Sequence, residues 1–93
     1  MADIQLVGNR WERSDDAYTV IRKDRFVLEY REGGKRVLIE VEPGIPTLAV
    51  YASSIKRWEV PFEDEALCDA DRSRILENIK AVFDATNYAY IVE

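Results

Sequence analysis

Hydrophobic and polar residues alternate most regularly over residues 25–42, RFVLEYREGGKRVLIEVE. Two alternating runs flank Gly33-Gly34, the pair best able to take the positive φ angles of a type I′ turn, so the segment predicts a β-hairpin. With the glycines at the turn centre, Glu32 faces Lys35, Tyr30 faces Val37, Leu28 faces Ile39 and Phe26 faces Val41. The six apolar residues of these pairs share one face, while Val27, Glu29, Arg31, Arg36, Leu38 and Glu40 form a mixed second face. A one-residue slip would carry each apolar set to the wrong side, so turn chemistry and alternation specify the same register.

Weaker patterns flank the hairpin. Residues 18–22, YTVIR, are β-branched and aromatic. A tight return through Lys23-Asp24 or Asp24-Arg25 places Ile21 on the face carrying Phe26 and Leu28. The stretch EPGIP at 42–46 is a turn, because proline fixes φ and cannot donate to a ladder. Residues 47–51, TLAVY, then read as another strand, which Ser53-Ser54 interrupts; residues 55–60 read as a further short strand stopped by Pro61. A helix is expected over residues 70–85, with Asp69 as N-cap and Asp71 in the first turn at the positive end of the helix dipole. Its apolar residues Ile75, Ile79, Val82 and Phe83 follow the i, i+4, i+7, i+8 spacing, widened by Leu76, and such a stripe needs a sheet to cover. Asn87 suits a left-handed cap, and residues 88–92, YAYIV, read as a final strand re-entering the sheet. Residues 4–7 suggest one more strand, and residues 8–16 an irregular, charged connection.

The expected fold is α+β: a mainly antiparallel, twisted sheet of five to six strands with one C-terminal α-helix packed on one face and a final strand after it. A chain of 93 residues can enclose one core and not two, so a single domain is expected over 1–93. Within it, residues 1–16 form a peripheral strand and connection, 17–60 the antiparallel sheet, 69–86 the helix and 88–92 the terminal strand.

Composition removes several classes of function. The chain is 47% hydrophobic and 33% charged, too apolar for disorder, and no run approaches the roughly 18–20 apolar residues that cross a bilayer. Its start lacks the basic-then-apolar pattern of an export signal, and its single cysteine, Cys68, cannot form an internal disulfide; a cytoplasmic protein is expected. With no histidine, Ser-His-Asp and Cys-His catalysis is excluded and the usual metal sites lose their commonest ligand. The acidic cluster Glu63, Asp64, Glu65, Asp69 and Asp71 lacks the spacing and glycine of an EF-hand loop. Cys68 sits at a helix start, where a thiol can be activated, but Asp69 and Asp71 oppose that. No enzyme, metal or cofactor is expected. A net charge of −5 opposes nucleic-acid binding and points to a basic partner.

The stretch KRWEVPFEDEAL at 56–67 sets aromatics against carboxylates. Trp58, with Pro61 and Phe62, reads as core at the helix base or as an interface anchor rimmed by charge. Trp11, in the ion-rich RWERSDD at 10–16, reads as partly exposed or as a lid over one end of the core. The candidate partner-binding residues are Trp11, Glu12, Glu59, Glu63, Asp64 and Glu65.

The layout resembles a family of small immunity proteins from bacterial polymorphic toxin and contact-dependent growth inhibition systems. The resemblance rests on the polar return into an alternating strand at 22–30 (RKDRFVLEY), on Trp58-Glu59-Val60-Pro61 closing the sheet, and on the acidic lead-in to a helix carrying Ile75, Asn78 and Ile79. It spans residues 18–92. It implies a protein that binds one cognate toxin domain, in many such systems a nuclease with a basic cleft, in the cytoplasm of the producing cell and blocks its active site or substrate-binding surface; it assigns no catalytic residues. The partner implied is the toxin's C-terminal domain, met by a monomer or homodimer. Two other classes stay open: a small dimeric adaptor or regulatory domain pairing through an unpaired edge strand, and a small enzyme with carboxylates converging in a pocket.

Overall fold

A computed structural model describes residues 3–13, 15, 17–44 and 47–93. Among them are the strands β1 (Ile4–Val7), β2 (Arg10–Arg13), β3 (Thr19–Arg22), β4 (Val27–Glu32), β5 (Lys35–Glu42), β6 (Leu48–Val50) and β7 (Tyr90–Val92), with a 3-10 turn at Ala52–Ser54 and the helix α1 (Asp69–Ala85). The strands lie side by side in chain order. Neighbours are antiparallel until β6 and β7, which run parallel because α1 supplies the crossover between them. The α+β class, the mainly antiparallel sheet, the C-terminal helix and the final strand are as expected; among the described residues the strands number seven, where five to six were expected.

The central hairpin keeps its expected register. Leu28 pairs with Ile39, Tyr30 with Val37 and Glu32 with Lys35 around Gly33 (φ 57°) and Gly34 (φ 80°). Phe26 departs from it: it lies before β4 and is 54% exposed, although its carbonyl accepts the Val41 N–H at 2.9 Å. The preceding connection explains this. Lys23 N–H donates to the Val27 carbonyl at 3.0 Å, leaving the three residues Asp24, Arg25 and Phe26 in the loop, where Asp24 Oδ1 accepts the Phe26 N–H at 2.7 Å. A three-residue loop shifts parity by one relative to a two-residue turn, so Val20 meets Tyr30 and Ile21 meets Glu29. Ile21 therefore belongs to the face opposite Leu28.

Two further segments differ from the reading of the pattern. Residues 10–13, expected within an irregular connection, form β2, paired with β1 across the Gly8-Asn9 turn and with β3 on its other side. A four-residue strand with one apolar residue carries no alternation to read. Residues 55–60, expected as a strand, form none. Ile55 and Trp58 are both buried, a three-residue spacing that an extended strand would send to opposite faces. Pro46 and the start of the return into β6 lie outside the described residues at 45 and 46.

The core lies between one face of the sheet and α1. Ile75, Ile79, Val82 and Phe83 are buried as the periodicity predicts, against Val20, Leu28, Tyr30, Val37, Ile39 and their neighbours. The helix starts one residue earlier than expected. Cys68 is the N-cap, and Asp71, three residues on, accepts its N–H at 3.2 Å and its thiol at 3.3 Å. Asp69 is instead the first helical residue, its side chain 99% exposed and paired with Arg72. A capping box needs its carboxylate at the third helical position, and Asp71 satisfies that only if the cap is Cys68.

Polar side chains set the helix on the sheet. Asn78 Nδ2 donates to the Tyr30 hydroxyl at 2.7 Å, and that hydroxyl donates to Glu32 Oε1 at 2.7 Å. Arg74 closes a bidentate pair on Glu32 at 3.0 and 2.7 Å. At the other end, Asn87 takes the left-handed conformation (φ 56°) expected of it. Trp11 packs edge-on against Phe83 and Tyr88, with ring centroids at 5.2 and 5.5 Å, and its Nε1–H donates to Thr86 Oγ1 at 3.1 Å. Only 2% exposed, Trp11 clamps β2 to the end of α1. Trp11→Ala is expected to cost about 3–5 kcal/mol, the range for truncating a buried large aromatic; chemical denaturation monitored by far-ultraviolet circular dichroism checks it, and a loss below about 1 kcal/mol would contradict the clamp.

Candidate partner-binding surface

The acidic lead-in to α1 is held in place by the residues that precede it. Trp58 is buried in the core and Phe62 packs partly against it. The Glu59 N–H donates to the Arg36 carbonyl at 2.9 Å, fastening the segment to β5 where no strand covers that edge. Lys35, from the hairpin end, lays its ammonium over both Trp58 and Phe62, 5.4 and 5.5 Å from the ring centroids, and pairs with Glu65 at 2.7 Å. The apolar rings thus tether the loop and orient its carboxylates outward.

Four of the six candidate residues come together here. Glu59 is half-buried, Glu63, Asp64 and Glu65 are exposed, and among the described residues no ion pair engages Glu63 or Asp64. Glu12 lies elsewhere, half-buried on β2 beside Arg10 at 3.4 Å, three strands from β5. Trp11 points to the opposite side of β2 from Glu12 and is buried, so of its two readings partial exposure fails and the lid over one end of the core agrees with the packing. Its immediate neighbours Arg10 and Glu12 are charged, but strand alternation sends them to the side opposite the indole.

The second face of the sheet holds a feature that alternation did not reveal. Glu29, assigned to a mixed surface, is fully buried. Arg31 Nε donates to Glu29 Oε2, while Arg36 Nη1 and Lys23 Nζ lie 3.4 and 3.7 Å from Oε1. Burial pushes this carboxyl up, but the hydrogen bond and charge of Arg31, with Lys23 and Arg36, outweigh it and hold the group below its usual range. The signal was present in the hairpin register: Arg31 lies directly opposite Arg36 on one face, and a like-charge pair there calls for an anion between or beside it. Glu29 is the diagonal neighbour that supplies it.

Among the described residues no cluster of three histidine, cysteine or acidic side chains is placed to hold a metal ion, and no helix is long and apolar enough to cross a membrane. The cavity of about 520 Å³ at the hairpin end is lined by Tyr18, Thr19, Arg31, Lys35 and Arg36 with small backbone neighbours, with Glu32 as its one carboxylate. It is a predominantly basic recess and not a site of converging carboxylates.

The family model of Immunity protein 74 matches residues 19–93. The chain belongs to this family. No curated protein and no solved structure matches it. The matched range runs from β3 to the end of β7 and takes in both the acidic loop and the Glu29 cluster. An immunity protein of this family acts against a toxin.

Because the Glu29 carboxyl is held below its unfolded-state value, its contribution to stability is present above about pH 4.3 and is lost as pH falls through the folded-state value. Glu29→Gln is expected to destabilise the immunity protein at neutral pH by about 1–3 kcal/mol, the scale of a lost charged hydrogen bond whose partners can regain water. The gap between variant and wild type should close on acidification below that window; a gap constant from pH 7 to pH 3 in denaturant titrations would contradict this account.

Proposed function

We propose that this immunity protein neutralises a cognate toxin by laying its acidic loop over a basic active site or substrate-binding surface. The observation that carries the reading is the tethered carboxylate group of Glu59, Glu63, Asp64 and Glu65, in which Glu63 and Asp64 have no ion pair among the described residues. A preorganised anionic surface is suited to a cleft built for phosphates. Charge complementarity of this kind raises association rates by about 10- to 1,000-fold. The target that fits best is a nuclease domain, carried at the C-terminus of a polymorphic or contact-dependent toxin and met in the cytoplasm of the producing cell. Glu12, beside Arg10 on β2 with Trp11 supporting that strand from behind, lies apart from this loop and is not part of the contact. The protein does no chemistry of its own in this reading; it works by occupying a surface.

A dimeric adaptor is the competing reading. It draws on the two outer strands, β1 and β7, which carry neither charge nor proline and expose Leu6, Val7, Ile91 and Val92. Two-fold pairing along either edge would cover those residues.

The test is co-expression with the toxin domain encoded beside this gene. The wild-type protein should co-purify with it and restore growth, and Glu63→Lys combined with Asp64→Lys should slow association by about tenfold at low salt and lose most of that effect at high salt. Absence of binding and rescue by the wild type, together with a concentration-dependent dimer in sedimentation, would favour the adaptor.

A further inference from the structure

The face of the sheet away from α1 carries no helix. Across it runs a row of paired residues, Glu12, Thr19, Arg31 and Arg36, next to the row Arg10, Ile21, Glu29 and Leu38. Its centre is Glu29, fully buried beneath three cations whose own side chains stay half-exposed: Lys23 at 46%, Arg31 at 50% and Arg36 at 47%. One carboxylate against three cations leaves a local excess of positive charge on a chain whose net charge is −5.

The hydrogen bonding shows what this excess is free to do. Glu29 engages Nε of Arg31 and Nη1 of Arg36. A guanidinium carries five N–H donors in a planar fork matched to carboxylate geometry, and the remaining donors of both groups have no partner among the described residues. Glu29 sets the two forks without using them up. Leu38, 38% exposed, lies beside them, and the basic cavity of about 520 Å³ opens at their hairpin end. Half-exposed arginines around a desolvated polar centre, with an apolar residue adjacent, have the composition of an interface centre.

We propose that this face is a second docking surface for the toxin and receives a carboxylate-bearing segment of it, Arg31 and Arg36 each gripping an acidic side chain. The occupant follows from charge: an acidic segment is repelled by the protein as a whole and attracted here. The inference rests on the immunity reading and extends it. The acidic loop borders this face at β5, where the Glu59 N–H meets the Arg36 carbonyl. The two regions meet at that edge from opposite sides of the sheet, and a partner that reaches round the edge with the complementary pair of patches docks in one orientation only. Such pairing suppresses wrong partners because a reversed or unrelated toxin brings like charges together.

The experiment uses the full chain and the toxin domain encoded beside its gene, with affinity read by isothermal titration calorimetry. Arg31→Gln with Arg36→Gln should weaken binding about tenfold to a thousandfold, the scale of close interfacial charge pairs. Since that variant strands Glu29, a triple variant adding Glu29→Gln removes the buried charge together with its partners and should show the same loss. Arg31→Lys with Arg36→Lys keeps Glu29 neutralised but lacks the forks, and should fall between. On the wild-type protein, phenylglyoxal modification followed by mass spectrometry should find Arg31 and Arg36 reactive alone and protected in the complex, a readout independent of any variant's folding. Affinity of the folded triple variant within twofold of wild type, or unchanged modification in the complex, overturns the proposal. If Glu63→Lys with Asp64→Lys still weakens binding in that case, the acidic-loop reading survives alone. Failure of the wild type to bind the toxin removes both.

Discussion

The structure depends on one strand being buried on both sides. In β4, Leu28, Glu29 and Tyr30 are all inaccessible, so three successive residues pointing alternately to opposite faces must each find a dry partner. Leu28 finds the core. Tyr30 finds it too, and its hydroxyl accepts from Asn78 and donates to Glu32, which also pairs with Arg74; these contacts set the helix on the sheet. Glu29 finds three cations. A buried carboxylate is tolerable only when its lone pairs and charge are met, and meeting them forces Arg31, Arg36 and Lys23 inward over the centre of an otherwise open face. The strand therefore organises two surfaces at once, an apolar one that folds the chain and a polar one that shapes its exterior.

That division extends to the edge of the sheet. Lys35, one residue from Arg36 and pointing to the other side, lies over Trp58 and Phe62 and pairs with Glu65. The hairpin end thus directs one cation to each side: Arg36 towards Glu29, Lys35 towards the acidic loop. Cationic and anionic regions end up adjacent on a chain whose overall charge is negative. Charge pattern, as well as buried area, sets which partner a protein surface accepts.

Much of this was legible in residue order. The glycine pair, the alternation around it and the four-residue spacing of Ile75 and Ile79 are local signals, each depending on neighbours a few positions away, and the hairpin and helix that they predict are present. The misreadings share a cause. Ile21 was assigned to the wrong face because the length of the loop after it depends on Asp24 accepting the Phe26 N–H, a contact that residue types alone do not dictate. β2 was missed because its one buried residue, Trp11, is held by Phe83, Tyr88 and Thr86, more than 70 positions away in the chain. Residues 55–60 have strand-like composition, yet the distance between the sheet and the base of α1 is bridged by Ile55 and Trp58 at a spacing no strand provides.

The residue order by itself determined the class of the fold, the central register, the helical stripe and the absence of histidine chemistry, because these follow from short-range periodicity and from composition. It also placed carboxylates in one run ahead of the helix. Tertiary structure decided which charges are spent inside the molecule and which face outward. Glu29 and Glu63 are the same residue type, yet one is enclosed by cations and the other stands in solvent. The hairpin register brings Arg31 and Arg36 beside Glu29, but whether a carboxylate so placed is enclosed or left in solvent depends on how the side chains around it pack in three dimensions.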